Sequence, residues 1–197
     1  PAGAARLGVP MRPWRHGPGA FKLDHAVEGG VPWTAEPCHR AGNLHLIGSW
    51  DEIVRAEADV NAGRMPERPF VLVGQQYLAD PSRSDGDVHP VWTYAHVPHG
   101  YDGDASEAII AQIARFAPGV RERIVGRATR AASEWEAYNA NCVGGDIING
   151  ANSPWQIVFR PRYATARPGV FLCSAATGPG PGAHGMCGYN AARAALR

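Results

Sequence analysis

One early segment alternates apolar and polar side chains. From residue 20 to 27, Phe21, Leu23, His25 and Val27 fall on one side, and Lys22, Asp24 and Ala26 on the other. A period of two predicts a strand with one face in a core. A shorter apolar run at residues 43–47 predicts a second strand, which leads into Ser49-Trp50-Asp51-Glu52. Ser49 with Glu52 three residues on has the spacing of a capping box, so a helix is expected to start there. Ile53, Val54, Ala56 and Val60 give that helix an apolar face up to about Asn61, and Gly63 sits where it would stop. Residues 69–77 and 88–97 are the most strand-like runs, joined by a polar, turn-rich loop.

Asp104 with Glu107 marks another helix start, with Ile109, Ile110, Ile113 and Phe116 as its stripe. Pro118-Gly119 breaks it, and a second, basic helix is expected over residues 121–127. Ser133 with Glu136 suits a short turn through Tyr138. Residues 139–153 read as a loop dense in Asn and Gly. At the end, residues 169–175 predict a short apolar strand, followed by a Gly/Pro loop and an alanine-rich helix over 184–197. Several strands follow one another without a crossover helix, so the expected fold class is α/β in the mixed α+β sense, with a partly antiparallel sheet.

Composition narrows this picture. At 197 residues the chain suits one ordinary domain with a small appendage. Apolar residues make up 45% and charged residues 19%, which favours a packed core over disorder. Gly and Pro together form roughly a fifth of the chain, which excludes a helical bundle or coiled coil. A net charge of +1 gives no field to hold nucleic acid, so none is expected as a partner. The first twenty residues lack a signal-peptide layout and no run is long enough to span a membrane, so a cytoplasmic place is expected, with a membrane-peripheral one as the variant. The chain opens on Pro1 in a loop-like, proline- and glycine-rich stretch, as a piece of something longer would. Cys38, Cys142, Cys173 and Cys187 form no C-x-x-C pair, and His89, His96 and His99 match no common zinc spacing; no metal is expected.

Gly180-Pro181-Gly182-Ala183-His184-Gly185 has the G-x-G-x-x-G form between a strand and a helix. The loop is too long and proline-rich for a primary dinucleotide site, and no second strand follows with an acidic residue for a ribose. Two readings remain: a loop that offers bare amides at a helix N-terminus, or a tight corner whose glycines only permit packing.

The wider stretch 168–192, with Pro168-Gly169-Val170-Phe171-Leu172-Cys173-Ser174 before the loop, resembles the C-terminal end of FAD-dependent oxidoreductases related to phytoene desaturase, in the amine oxidase superfamily. Further landmarks of that family lie upstream: His96-Val97-Pro98-His99-Gly100, Gln112 to Gly119, Glu136 to Ile147, and Phe159-Arg160-Pro161. The resemblance implies that residues 1–150 are part of a substrate-binding domain. It implies that residues 151–197 return to a Rossmann-like FAD/NAD(P)-binding domain as its terminal strand–loop–helix. The N-terminal G-x-G-x-x-G half of such proteins has no counterpart in this chain, so the implied partner is that half, on the same or a separate polypeptide.

The resemblance also implies residue roles. Ser174 and Ala175 would lie near the pyrophosphate or ribityl chain of FAD, with Gly182 in the loop, and Gly185, Met186 and Cys187 would turn amides to the flavin's pyrimidine end. His184 would contact flavin or substrate as the catalytic candidate, or serve as a polar cap. Asp146 and Asn152 would approach the flavin's front edge, or serve as turn residues. Trp92, Tyr94 and His96 alternate on one strand face and would line a cavity for a lipophilic small molecule, or fill the core. The implied activity is oxidation or desaturation by hydride transfer to flavin, with the isolated chain inactive and unable to bind FAD tightly. The competing class is a non-catalytic binding module that forms a homodimer.

Overall fold

The computed structural model describes residues 14–197, so most of the proline- and glycine-rich opening lies outside the described residues. The fold is mixed α+β, built on one five-stranded sheet in the order β2-β3-β4-β1-β5. The strands are β1 (Gly19–Glu28), β2 (Asn43–Leu46), β3 (Val71–Gly74), β4 (Val88–Val97) and β5 (Ile124–Arg130). Every neighbouring pair is antiparallel. β1 and β4 form the centre, with Leu23 opposite Thr93 and Phe21 opposite Ala95.

The alternation of β1 places Phe21, Leu23, His25 and Val27 on the buried face. Val91, Thr93, Ala95 and Val97 of β4 join them, with Val71 and Val73 of β3. Helix α2 (Ser106–Ala114) covers this face with Ile109, Ile110 and Ile113. Burying each such branched side chain contributes about 1.5–3 kcal/mol relative to leaving it in water.

Helix α1 (Trp50–Asn61) begins with the capping box its sequence predicts: Ser49 Oγ accepts the Glu52 amide at 3.2 Å, and Glu52 Oε2 accepts the Ser49 amide at 2.8 Å. The Ser49 amide, Arg68 and Arg115 hold the Glu52 carboxyl at about 2, well below the usual range. Glu52 therefore ties the start of α1 to Arg115, just past the end of α2.

Four elements depart from expectation. Of the basic helix expected over 121–127, only residues 121–123 are helical (α3, Val120–Arg123), and the chain then runs straight into β5. Gly126 weakens a helix there, and the free edge of β1 offers ladder partners from Lys22–Arg130 to Val27–Ile124, with a bulge at Ala26/Val27. The expected strand at 169–175 is reduced to a bridge between Ala164 and Phe171, because no second strand lies beside it among the described residues. Two short helices interrupt loop-like sequence: α4 (Trp135–Tyr138), where a turn was expected, and α5 (Pro154–Val158), with Ser153 as its N-cap and Pro154 at its first turn. The last helix, α6, spans Met186–Ala195, inside the predicted range.

Candidate functional site

The outer face of the sheet, opposite α2, carries a row of rings. Trp92, Tyr94 and His96 project from β4 at alternate positions and are half-buried. Ring centroids lie 6.1 Å apart for Trp92 and Tyr94 and 6.0 Å for Tyr94 and His96, with planes 15° and 24° from parallel. Phe70, just before β3, stacks on His96 at 4.5 Å. Gly74 makes room for the Trp92 indole: a Cβ there would lie 2.2 Å from it, so the ring crosses β3 where a side chain is missing. On β1, Lys22 and Asp24 flank Tyr94 and Trp92 and pair with each other. Burial pushes the Tyr94 phenol above its ordinary value. From α1, Glu57 reaches across this face and accepts from His96 Nδ1 at 2.7 Å.

A second cluster closes the loop after α4. The buried carboxylate of Asp146 accepts amides from Gly17 at 2.8 Å and Gly150 at 2.7 Å on one oxygen. Its other oxygen accepts from Ile148 at 3.0 Å and Asn149 at 2.9 Å. Asn149 takes a left-handed backbone conformation (φ 61°), which Asn tolerates better than most residues. The segment at 15–17 is bound to the same loop through Gln156, whose side-chain amide donates to Arg15 O at 2.8 Å and accepts its N–H at 3.0 Å. Asp146 is thus surrounded by backbone amides, and Asn152 is exposed nearby in sequence.

The third region is the C-terminal corner, where the remaining sequence-derived candidates gather. Among the described residues, the hydrogen bonds of residues 160–197 stay within that stretch. The Tyr163 hydroxyl donates to Gly178 O and accepts from Asn190 at 3.1 Å, fastening the loop to α6. Ser174 makes a tight turn in which its backbone O accepts from the Thr177 hydroxyl at 2.7 Å and its Oγ from the Ala176 amide at 3.1 Å. Ala175 O accepts from Arg160 Nη1 at 2.6 Å. The Arg160 Nε is buried and has no hydrogen-bond partner, and the guanidinium lies beside Gly180.

At the head of α6, Gly185 has φ 66° and nothing within 4 Å of where a Cβ would stand. The Met186 amide donates to His184 Nδ1 at 3.0 Å, so His184 caps the helix and its ring lies against Gly182. Cys187 Sγ lies 3.3 Å from Gly180 O, and Cys173 Sγ approaches Gly188 on the same corner; both thiols are free. A groove of about 480 Å³ runs along this corner, lined by Ile157, Val158, Arg160, Tyr163, Gly178 and Pro179.

The candidates therefore fall in three places: Trp92, Tyr94 and His96 on the outer sheet face, Asp146 and Asn152 in or beside the loop that holds residue 17, and 174–187 at the corner. Glu57, Phe70, Gly74, Arg160 and Tyr163 were not singled out as site residues by their sequence context. A glycine inside a strand-like run was the one available signal, for Gly74.

Among the described residues, no three His, Cys, Asp or Glu side chains gather in a way that could hold a metal ion, and no helix is long and apolar enough to cross a membrane. No family model matches the chain. Among curated proteins, it is similar to the pyridine nucleotide-disulfide oxidoreductase domain-containing protein 2 of Rattus norvegicus, with 24% identity over 186 residues. That match covers 85% of this chain and 32% of the rat protein, so the chain spans about a third of its relative's length. At a coarse level, then, the chain is similar to part of a protein named for an oxidoreductase domain.

Proposed function

We propose that this chain is the substrate-binding part (1–150) and the flavin-facing return segment (151–197) of an FAD-dependent oxidoreductase of the phytoene desaturase-like type, which oxidises or desaturates a lipophilic small molecule. The observation that carries the reading is the similarity to the rat oxidoreductase-domain protein, which runs over 85% of the chain instead of one motif. The glycine-rich corner and the aromatic sheet face supply what such a protein needs at its two ends.

The corner suits FAD on one structural ground: the buried, unpartnered Nε of Arg160 lies next to the glycine loop. A guanidinium with a free donor there is a natural partner for a pyrophosphate. In this reading Ser174, Ala175 and Gly182 border the same ligand, and Gly185, Met186 and Cys187 stand at the positive end of α6. When bound, FAD supplies a hydride acceptor. The chain's own residues position it and the substrate: His184 keeps the helix head in shape through Met186, and Trp92 and Tyr94 offer apolar floor to a lipophilic molecule. Asp146 acts by holding the loop that carries Asn152.

The partner in this reading is a complementary dinucleotide-binding half. Trp155 (75% exposed) and Val158 (72%) on α5, with Leu196 (88%) after α6, are the apolar surface it would cover. The same surface favours the second reading, a binding or dimerisation module without catalysis.

Equilibrium dialysis of the purified chain against FAD should show no stoichiometric retention. Joined to a dinucleotide-binding half, it should give a yellow protein that loses its flavin on Arg160→Met. A colourless joined protein would overturn the oxidoreductase reading, and a stable homodimer burying Trp155 would support the module.

A further inference from the structure

We propose that the outer sheet face selects a flat apolar molecule that carries a hydroxyl or N–H donor, read by the Nε2 of His96 with Glu57 as its positioning residue. This rests on the substrate-face reading above and names the chemical class that the face takes.

The argument starts from the tautomer. Glu57 Oε1 lies 2.7 Å from His96 Nδ1, so the carboxylate holds the proton on that nitrogen. A neutral imidazole fixed this way presents a lone pair at Nε2. Among the described residues no group donates to that atom. The ring is packed on one flank, where Phe70 stacks on it at 4.5 Å and Tyr94 stands at 6.0 Å, Phe70 and Tyr94 lying 6.5 Å from each other. Both members of the pair are about a third exposed (33% and 34%), and an ion pair at such exposure adds little to stability. What it does accomplish is orientation: it fixes which nitrogen carries the proton and so where Nε2 points.

The rest of the face fits one occupant. From Trp92 to His96 the floor extends on the order of 13 Å, at roughly 3.3 Å per strand residue. That is the length of a two- or three-ring compound. At the Trp92 end the indole crosses β3 at Gly74, where no side chain rises beside it. Lys22 and Asp24 satisfy each other, so neither confronts the row with an unpaired charge. A floor of rings with a fixed acceptor at one end gives a ligand both affinity and direction: stacking holds it, and a donor at its end sets which way it lies.

Two probes with the same ring system separate these contributions: 2-naphthol, and 2-methoxynaphthalene, which lacks the donor. Titration of the whole chain, followed by the Trp92 indole N–H and the ¹⁵N signals of His96, should show about five- to tenfold tighter binding of the naphthol, as one added hydrogen bond gives. His96→Phe should keep the ether's affinity and abolish the preference. Glu57→Gln should shrink the preference and shift the His96 ¹⁵N pair away from the Nδ1–H pattern, a change a merely structural role would not produce. Equal affinities on the native chain, or a preference that survives His96→Phe, would overturn the proposal and leave the face as a ligand face. If neither probe moves the Trp92 signal, or if that signal moves with protein concentration alone, the substrate-face reading itself fails.

Discussion

The imidazole of His25 meets the Thr93 hydroxyl in the core, with Nε2 and Oγ1 3.4 Å apart. Thr93 donates its own proton to Leu23 O at 2.8 Å, so it receives from His25, and the buried Nδ1 is left with no partner. Burial is the main reason the His25 pKa falls from 6.5 to about 4; Arg127 adds to the fall and Asp24 opposes it. As pH drops from 6.5 toward 4, the unfolded chain takes up a proton that the folded chain refuses, so stability declines over that window. The loss attributable to this residue approaches about 3 kcal/mol. Urea denaturation across pH 4–7 should show a markedly flatter slope for His25→Leu, and an unchanged slope would refute this account.

Asp146 should be among the costliest positions outside the core. Asp146→Ala strips four amides of their acceptor and is expected to destabilise by about 2–4 kcal/mol. Asp146→Asn retains one oxygen and should cost roughly half as much. Thermal melts of both variants test the order; an Ala variant within about 0.5 kcal/mol of native would show that water replaces the carboxylate.

Gly74→Ala should destabilise the native chain by about 1–3 kcal/mol, because the new methyl collides with the Trp92 indole. In a Trp92→Ala background the same change should be neutral or stabilising, since alanine restricts the unfolded backbone more than glycine does. A double-mutant cycle with no coupling would mean that the two residues do not share the space.

Ser49→Ala removes half of the capping box and should cost about 1 kcal/mol, read as an earlier urea midpoint with an unchanged slope. A steeper or shallower slope would instead point to a changed denatured state.

Tyr163→Phe should loosen the corner without touching the sheet. Faster hydrogen exchange is expected within residues 163–190, where the lost hydroxyl bridged Gly178 and Asn190, and native rates in β1 and β4. Faster exchange in the sheet as well would show that the corner and the sheet open together.

Much of the sheet was legible because β1 and β4 each bury one face, which imposes a period of two on Phe21–Val27 and Val91–Val97. The Ser49–Glu52 cap was legible because its chemistry is local. β5 was not: it is an edge strand held by the backbone of β1, its side chains mostly exposed, so it has no apolar alternation to read. The stretch 169–175 has strand composition, but a strand also needs neighbours, and among the described residues it pairs in strand fashion only with the short stretch 163–165. At the site, Trp92, Tyr94 and His96 shared a face by spacing alone. Glu57 lies 39 residues from His96, and nothing in a linear pattern links an acidic helix residue to that ring.

The grip of Asp146 on Gly17 also bears on the order of assembly. Its two ends are separated by 129 residues, and the whole sheet lies in the chain between them. Bringing such distant points together unaided costs more closure entropy than any hairpin in the sheet, so the carboxylate finds its amide only after the strands have shortened the path. Protection of the Gly17 N–H is therefore expected to follow that of the β1 and β4 amides in pulse-labelled hydrogen exchange.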